Sequence, residues 1–199
     1  MERESDTKGQ VHDRLPYVLS EARGQSTANF LTPGVDIIYL HQHASSTDRN
    51  ARQRVVGAIL PNFEAWLGRK HGSLTFRLTQ VLTGHGCFGE YLCRIGREVT
   101  PRCHHCGEVR DSAQHTLEEC PAWEPERHIL VSYVGRDLSP PAVIAAMLED
   151  SEAWRAVVSF CEVVMCKKEA AERDRERADP SRRRRHQGGA DQRSDRSIQ

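Results

Sequence analysis

Apolar residues between positions 51 and 96 recur at helical spacing, not strand spacing. Val55, Val56, Ile59 and Leu60 stand at i, i+1, i+4 and i+5, one face of a helix, until Pro61 interrupts it. Phe63, Trp66 and Leu67 follow at i, i+3 and i+4, and Gly68 and Gly72 bracket a turn. Leu74, Leu78, Val81 and Leu82 then repeat with the same period, Gly84-His85-Gly86 breaks it, and Phe88, Tyr91, Leu92 and Ile95 restore it up to a C-cap at Gly96. The segment 51–98 therefore reads as a helical hairpin with a glycine hinge.

The pattern returns after residue 123. Pro125 occupies a first-turn position, and Ile129, Leu130, Tyr133 and Val134 predict a short amphipathic helix ending at Gly135. Ser139 is placed as the N-cap of the next helix, with Pro140 and Pro141 in its first turn. Ser151 is placed as the cap of the last, whose stripe is Trp154, Val157, Val158, Cys161, Val164 and Met165. Past Lys167 the residues are of mixed charge, a helix extension supported only by i,i+4 pairs until Asp179-Pro180. Segment 124–178 thus reads as C-terminal helices. Residues 1–50 lack a period apart from the run Val35-Asp36-Ile37-Ile38-Tyr39-Leu40 and read as irregular. Residues 179–199 contain Arg182, Arg183, Arg184 and Arg185 and almost nothing apolar, the composition of a disordered basic tail. The expected fold class is mainly α, with disordered termini.

Charge and cysteine content narrow the function. The formal net charge of the 199 residues is zero, so attraction to nucleic acid would have to come from local clusters. No apolar run of about 18 residues is present, which excludes a membrane-spanning helix, and no secretory signal opens the chain. The expected setting is intracellular, nuclear or cytoplasmic, and reducing. There the seven cysteines read as metal ligands or core residues before disulfides.

Four residues in segment 99–123 have ligand spacing. Cys103, Cys106, His115 and Cys120 form C-x2-C-x8-H-x4-C. Two residues between the first cysteines allow a tight turn that aims both thiolates at one point, and Gly107 permits the left-handed backbone this needs. Asp111 or Ser112 can cap a short helix carrying His115, and Pro121 stops it beyond Cys120. Three thiolates and one imidazole fill a tetrahedral shell for structural Zn2+ and leave no vacancy for a catalytic water. His104 and His105 compete as ligands, but their place inside the turn should point them outward. Cys87, Cys93, Cys161 and Cys166 read as core residues.

The string from Leu78 to Leu92, LTQVLTGHGCFGEYL, followed by the Cys-Cys-His-Cys set and Trp123, resembles the C-terminal end of the reverse-transcriptase polyprotein of non-LTR (LINE-type) retrotransposons. The arthropod clade that inserts into ribosomal RNA genes is the most similar, over about residues 53–177. The resemblance implies a parent RNA-directed DNA polymerase whose C-terminal zinc knuckle helps hold nucleic acid during target-primed reverse transcription. It implies Cys103, Cys106, His115 and Cys120 as that module's ligands. No Tyr/Phe-x-Asp-Asp polymerase motif and no endonuclease-like acidic set is found in this chain, so it is expected to be a fragment without a catalytic centre.

Two functions follow as expectations. In the first the chain binds RNA or DNA: Lys70, His85, Arg94, Arg97 and Arg102 near the zinc site would meet phosphates, with Arg182, Arg183, Arg184 and Arg185 as a flexible arm, and bases would stack on Trp123 or Tyr91. The arginine run reads equally well as a nuclear-localisation patch, and the aromatics as core. In the second the chain is a protein-interaction scaffold that docks onto the reverse transcriptase body, as zero net charge favours.

Overall fold

The computed structural model describes residues 49–179. The segment 1–48 and the basic run at 182–185 lie outside the described residues, and with them the expectations of disorder. The described chain is helical, and no strand occurs among these residues. Helix α1 (Arg49–Ile59) passes through a 3-10 turn (Leu60–Asn62) into α2 (Phe63–Gly68), followed by α3 (Phe76–Thr83) and α4 (Gly89–Arg94). A cysteine- and histidine-bearing loop, with a π-turn over His115–Glu119 and a 3-10 turn over Pro121–Trp123, leads to α5 (Glu124–Val134), α6 (Pro140–Glu149) and α7 (Ser151–Ala178).

Helix α7, 28 residues long, is the spine against which α3, α5 and α6 pack. Its stripe behaves as the periodicity requires: Trp154, Val157, Cys161, Val164 and Met165 are all buried. Each large side chain so buried contributes about 1.5–3 kcal/mol. At the other end of the core the Trp66 and Trp154 rings meet at 5.8 Å with Arg69 above Trp66. The chain can turn beside this pair only because residue 72 is glycine. Its φ is +79°, and a Cβ there would lie 2.2 Å from the Trp154 ring.

Several sequence expectations are corrected by the packing. In α1 the inward face is Val55, Ala58 and Ile59, while Val56 and Leu60 point to solvent. In α5 it is Leu130 with the half-buried Val131 and Val134, and Ile129 and Tyr133 are exposed. In both helices the i, i+1 reading chose the wrong flank of a narrow stripe. Asp150, not Ser151, caps α7, its carboxylate accepting from Glu152 N–H at 3.0 Å. Cys166 is exposed, whereas Cys161 is in the core.

The largest correction concerns the helix beyond Lys167. Lys168 is 1% exposed and Glu172 3% exposed, so this part of α7 is a packed face, not a solvated one. It runs beside the cysteine–histidine loop and the end of α4. Arg97 meets Glu172 at 3.9 Å and also contacts Glu176, and Arg175 reaches Glu98 at 3.6 Å.

Candidate metal centre

The loop is shaped by its own backbone. Asp111 N–H donates to Pro101 O at 2.7 Å and Cys103 N–H to Glu108 O at 2.8 Å, which pin the two strands of the loop together. Gly107, with φ of +82°, lets its N–H reach back to Cys103 O at 2.9 Å, and this closed turn presents Cys103 and Cys106 on one side. Ser112, not Asp111, caps the turn carrying His115: its Oγ accepts from His115 N–H at 3.0 Å. The turn then widens, with Cys120 N–H donating to His115 O at 2.7 Å across five residues, before Pro121 ends it. Arg127 of α5 caps the carbonyls this leaves, donating to Leu117 O at 2.9 Å and also to Cys120 O.

These constraints bring Cys103, Cys106, His115 and Cys120 together. One ligand atom from each lies within 4.8 Å of the other three, and among the described residues this is the set of His, Cys and acidic groups able to hold a metal ion. Cys103 and Cys120 sulfurs are 3.9 Å apart, and Cys106 Sγ is 3.3 Å from His115 Nε2. A tetrahedral zinc shell places two sulfurs about 3.8 Å apart and a sulfur and nitrogen about 3.6 Å apart. A disulfide needs about 2.05 Å, and all seven cysteines are free. His115 Nδ1 faces the Glu119 carboxylate at 3.3 Å, a contact that turns the Nε2 lone pair toward the sulfurs.

Without an ion the buried thiols are held protonated. Burial pushes the Cys103 thiol up from its ordinary range, and burial together with the nearby Cys103 and Cys106 sulfurs pushes Cys120 up to about 12. A divalent ion reverses that cost, because a coordinating thiol is deprotonated outright. The residues present therefore fit a four-coordinate structural metal, and both competing histidines are turned elsewhere. His104 Nε2 pairs with Glu98 at 2.9 Å. His105 folds inward instead of outward, its ring 4.7 Å from Trp123, where burial and the Lys168 charge pull its imidazole down to about 4.

A second buried cluster holds this loop to the helices. Asp111, 2% exposed, accepts Lys168 Nζ on both oxygens at 2.9 and 2.8 Å, Gly89 N–H at 2.9 Å and Thr116 Oγ1–H at 3.2 Å. Lys168 Nζ also lies 5.3 Å above the Phe88 ring. Sequence reading missed Lys168, Arg127 and the role of Asp111. The first had a usable signal: 168 and 172 continue the α7 stripe from Cys161, Val164 and Met165 at steps of three and four. Gly89 makes the close approach possible, because a Cβ there would sit 2.5 Å from Arg102 O. Gly89→Ala is therefore expected to cost about 1–3 kcal/mol through overpacking, read as a lower urea midpoint at unchanged slope.

The residues expected to meet nucleic acid are scattered. His85 and Arg94 converge on Tyr91, at 4.7 Å ring to ring and 5.2 Å from guanidinium to ring. Lys70 is exposed beyond α2, at a distance in the chain from the loop. Arg97 is engaged by Glu172 and Glu176, and Arg102 Nε donates to Gly107 O at 2.9 Å. Trp123 is 4% exposed, with His105 packed on its ring and Lys167 Nζ 5.9 Å above it, so it is packed as a core residue.

No protein-family profile and no solved structure matches the chain. Over 92 residues it is 33% identical to the Retrovirus-related Pol polyprotein from type-1 retrotransposable element R1 4 of Nasonia vitripennis. The matched segment is 46% of this chain and 23% of that protein, so the chain corresponds to less than a quarter of the relative's length. The similarity supports an origin in a non-LTR retrotransposon. Among the described residues no helix is long and apolar enough to cross a membrane.

Proposed function

We propose that this chain is a zinc-stabilised nucleic-acid-binding part of a retrotransposon Pol polyprotein, without a catalytic centre of its own, that handles RNA or DNA during target-primed reverse transcription. The convergence of Cys103, Cys106, His115 and Cys120 in a chain similar to a Pol polyprotein carries this reading. Zinc suits a set of three thiolates and one imidazole with all four positions taken. The ion's work is to fold the loop, and binding falls to the arginines around it. Arg94, Arg102 and Arg110 are exposed beside the loop.

Binding of a labelled oligonucleotide across a salt series tests it. Three phosphate contacts on a single strand predict that log K falls with log salt at a slope of about −2. No binding at low salt overturns the reading.

That outcome would leave the second reading, docking onto the polymerase body of the parent polyprotein. One observation favours it. Val56, Leu60, Phe63 and Leu67 lie at i, i+4, i+7 and i+11 on the outer face of α1 and α2, all exposed. In this reading the remaining three quarters of the polyprotein supplies the surface that covers them.

A further inference from the structure

A groove of about 780 Å³ opens between α1, α4 and the segment leading to His115. Its volume is in the range that encloses a small molecule, about 300–1,000 Å³. It can therefore take one or two nucleotides.

Three features make it a receptor. Arg54 of α1 lines it half-buried, and its partners among the described residues are neutral, Val81 O at 3.3 Å and the Gln114 amide oxygen at 3.0 Å. Among the described residues no carboxylate compensates its charge, and burial pulls its guanidinium below the ordinary value. A partly dry, uncompensated cation in a groove is a place for an anion. On another wall stands Tyr91, half-buried, with His85 packed against its ring and the guanidinium of the exposed Arg94 over it. Unlike the buried Trp123, this ring reaches the groove, and a base can stack on it where the Arg94 side chain gives way. The third feature is Gly57. Glycine weakens a helix interior, and no atom lies within 4 Å of where its Cβ would be, so packing does not require it. Its effect is to leave the α1 side of the groove open.

Three carboxylates also line the groove, against the three arginines Arg54, Arg94 and Arg110. Glu90 is paired with Arg110 at 2.7 Å, Glu119 faces His115, and Glu108 accepts from Val109 N–H at 2.9 Å. We propose, resting on the nucleic-acid reading above, that this groove binds a single-stranded segment, with a phosphate at Arg54 and an unpaired base on Tyr91. The selectivity follows from the chemistry, because a base offers its face to a side chain only when it is not stacked in a duplex.

Anisotropy of the full zinc-loaded chain with a labelled single-stranded oligothymidylate, and with the same strand in duplex with oligoadenylate, tests this. The single strand is expected to bind about tenfold or more tighter than the duplex. Tyr91→Ala should weaken the single strand about tenfold and leave the duplex unchanged. Arg54→Gln should make the salt slope shallower by about 0.7. Gly57→Phe fills the groove from a position with free space around it. It should abolish the preference for single strands while helical content and zinc content stay at the wild-type level. Equal binding of both forms, unmoved by Tyr91→Ala and Gly57→Phe, overturns the groove assignment and leaves the nucleic-acid reading standing. Absence of binding to either form overturns both.

Discussion

Cys120→Ser is expected to empty the metal centre and unfold the loop between residues 101 and 123. The buried Cys120 sulfur lies 3.9 Å from Cys103, and among the described residues the other candidate ligands in reach are Cys106 and His115. A serine hydroxyl does not ionise near neutral pH and replaces a soft thiolate with a poor ligand. Apart from the Asp111–Lys168 cluster, the buried residues of the segment that are not candidate ligands are few, Ala113, Thr116, Leu117 and Trp123. Structural zinc in comparable small sites contributes about 10–16 kcal/mol, against about 5–15 kcal/mol for the whole stability of a typical domain. Losing it should decide whether this segment is ordered. Metal analysis of the purified full chain should therefore give about one zinc per chain for wild type and close to none for Cys120→Ser or Cys103→Ser. Trp123, next to the last ligand and buried, reports the unfolding through a red-shifted fluorescence. His104→Ala should keep its zinc, because that ring is held by Glu98. Loss of zinc in His104→Ala with retention in His115→Ala would sink the assignment.

The convergence of the four candidate ligands was legible because residues able to hold one ion, when close in sequence, leave their geometry in the spacing. Two residues between Cys103 and Cys106 demand a turn, and Gly107 supplies its left-handed residue at φ +82°. The helices were legible from their period, but which flank of each stripe faces inward was not. That choice is made by neighbours far along the chain: Val56 and Leu60 are outside because α3 and α6 lie against the other side of α1. Trp123 shows the same limit. An aromatic beside a ligand reads equally as a platform or as core, and the inward fold of His105 decides it. The groove could not be read at all. Arg54 and Tyr91 lie on separate helices, and only tertiary packing shows that, among the described residues, Arg54 pairs with no carboxylate.

Lys168→Met is expected to lower stability by about 3–5 kcal/mol, a larger effect than removal of any exposed ion pair on α7. The pair with Asp111 is almost wholly dry, with side chains 1% and 3% exposed. Methionine fills nearly the same space beside Phe88, so the loss is not one of volume. What it leaves is a buried carboxylate served only by Gly89 N–H and the Thr116 hydroxyl. By contrast Arg177→Met, whose partner Asp174 is on the surface, should change stability by less than about 0.5 kcal/mol. The double variant Lys168→Met/Asp111→Asn should cost less than the sum of the two single changes, because it removes both charges together. The consequence reaches the metal. Asp111 lies four residues before His115 and bonds Thr116 beside it, so this buried carboxylate ties the loop to both α7 and α4. Zinc should therefore leave Lys168→Met faster than wild type when a chelator is added, although no ligand has been changed. Urea midpoints and chelator-release rates on the full chain measure both effects. If stability and release are both unchanged, the last three turns of α7 do not hold the loop, and the metal alone determines its shape.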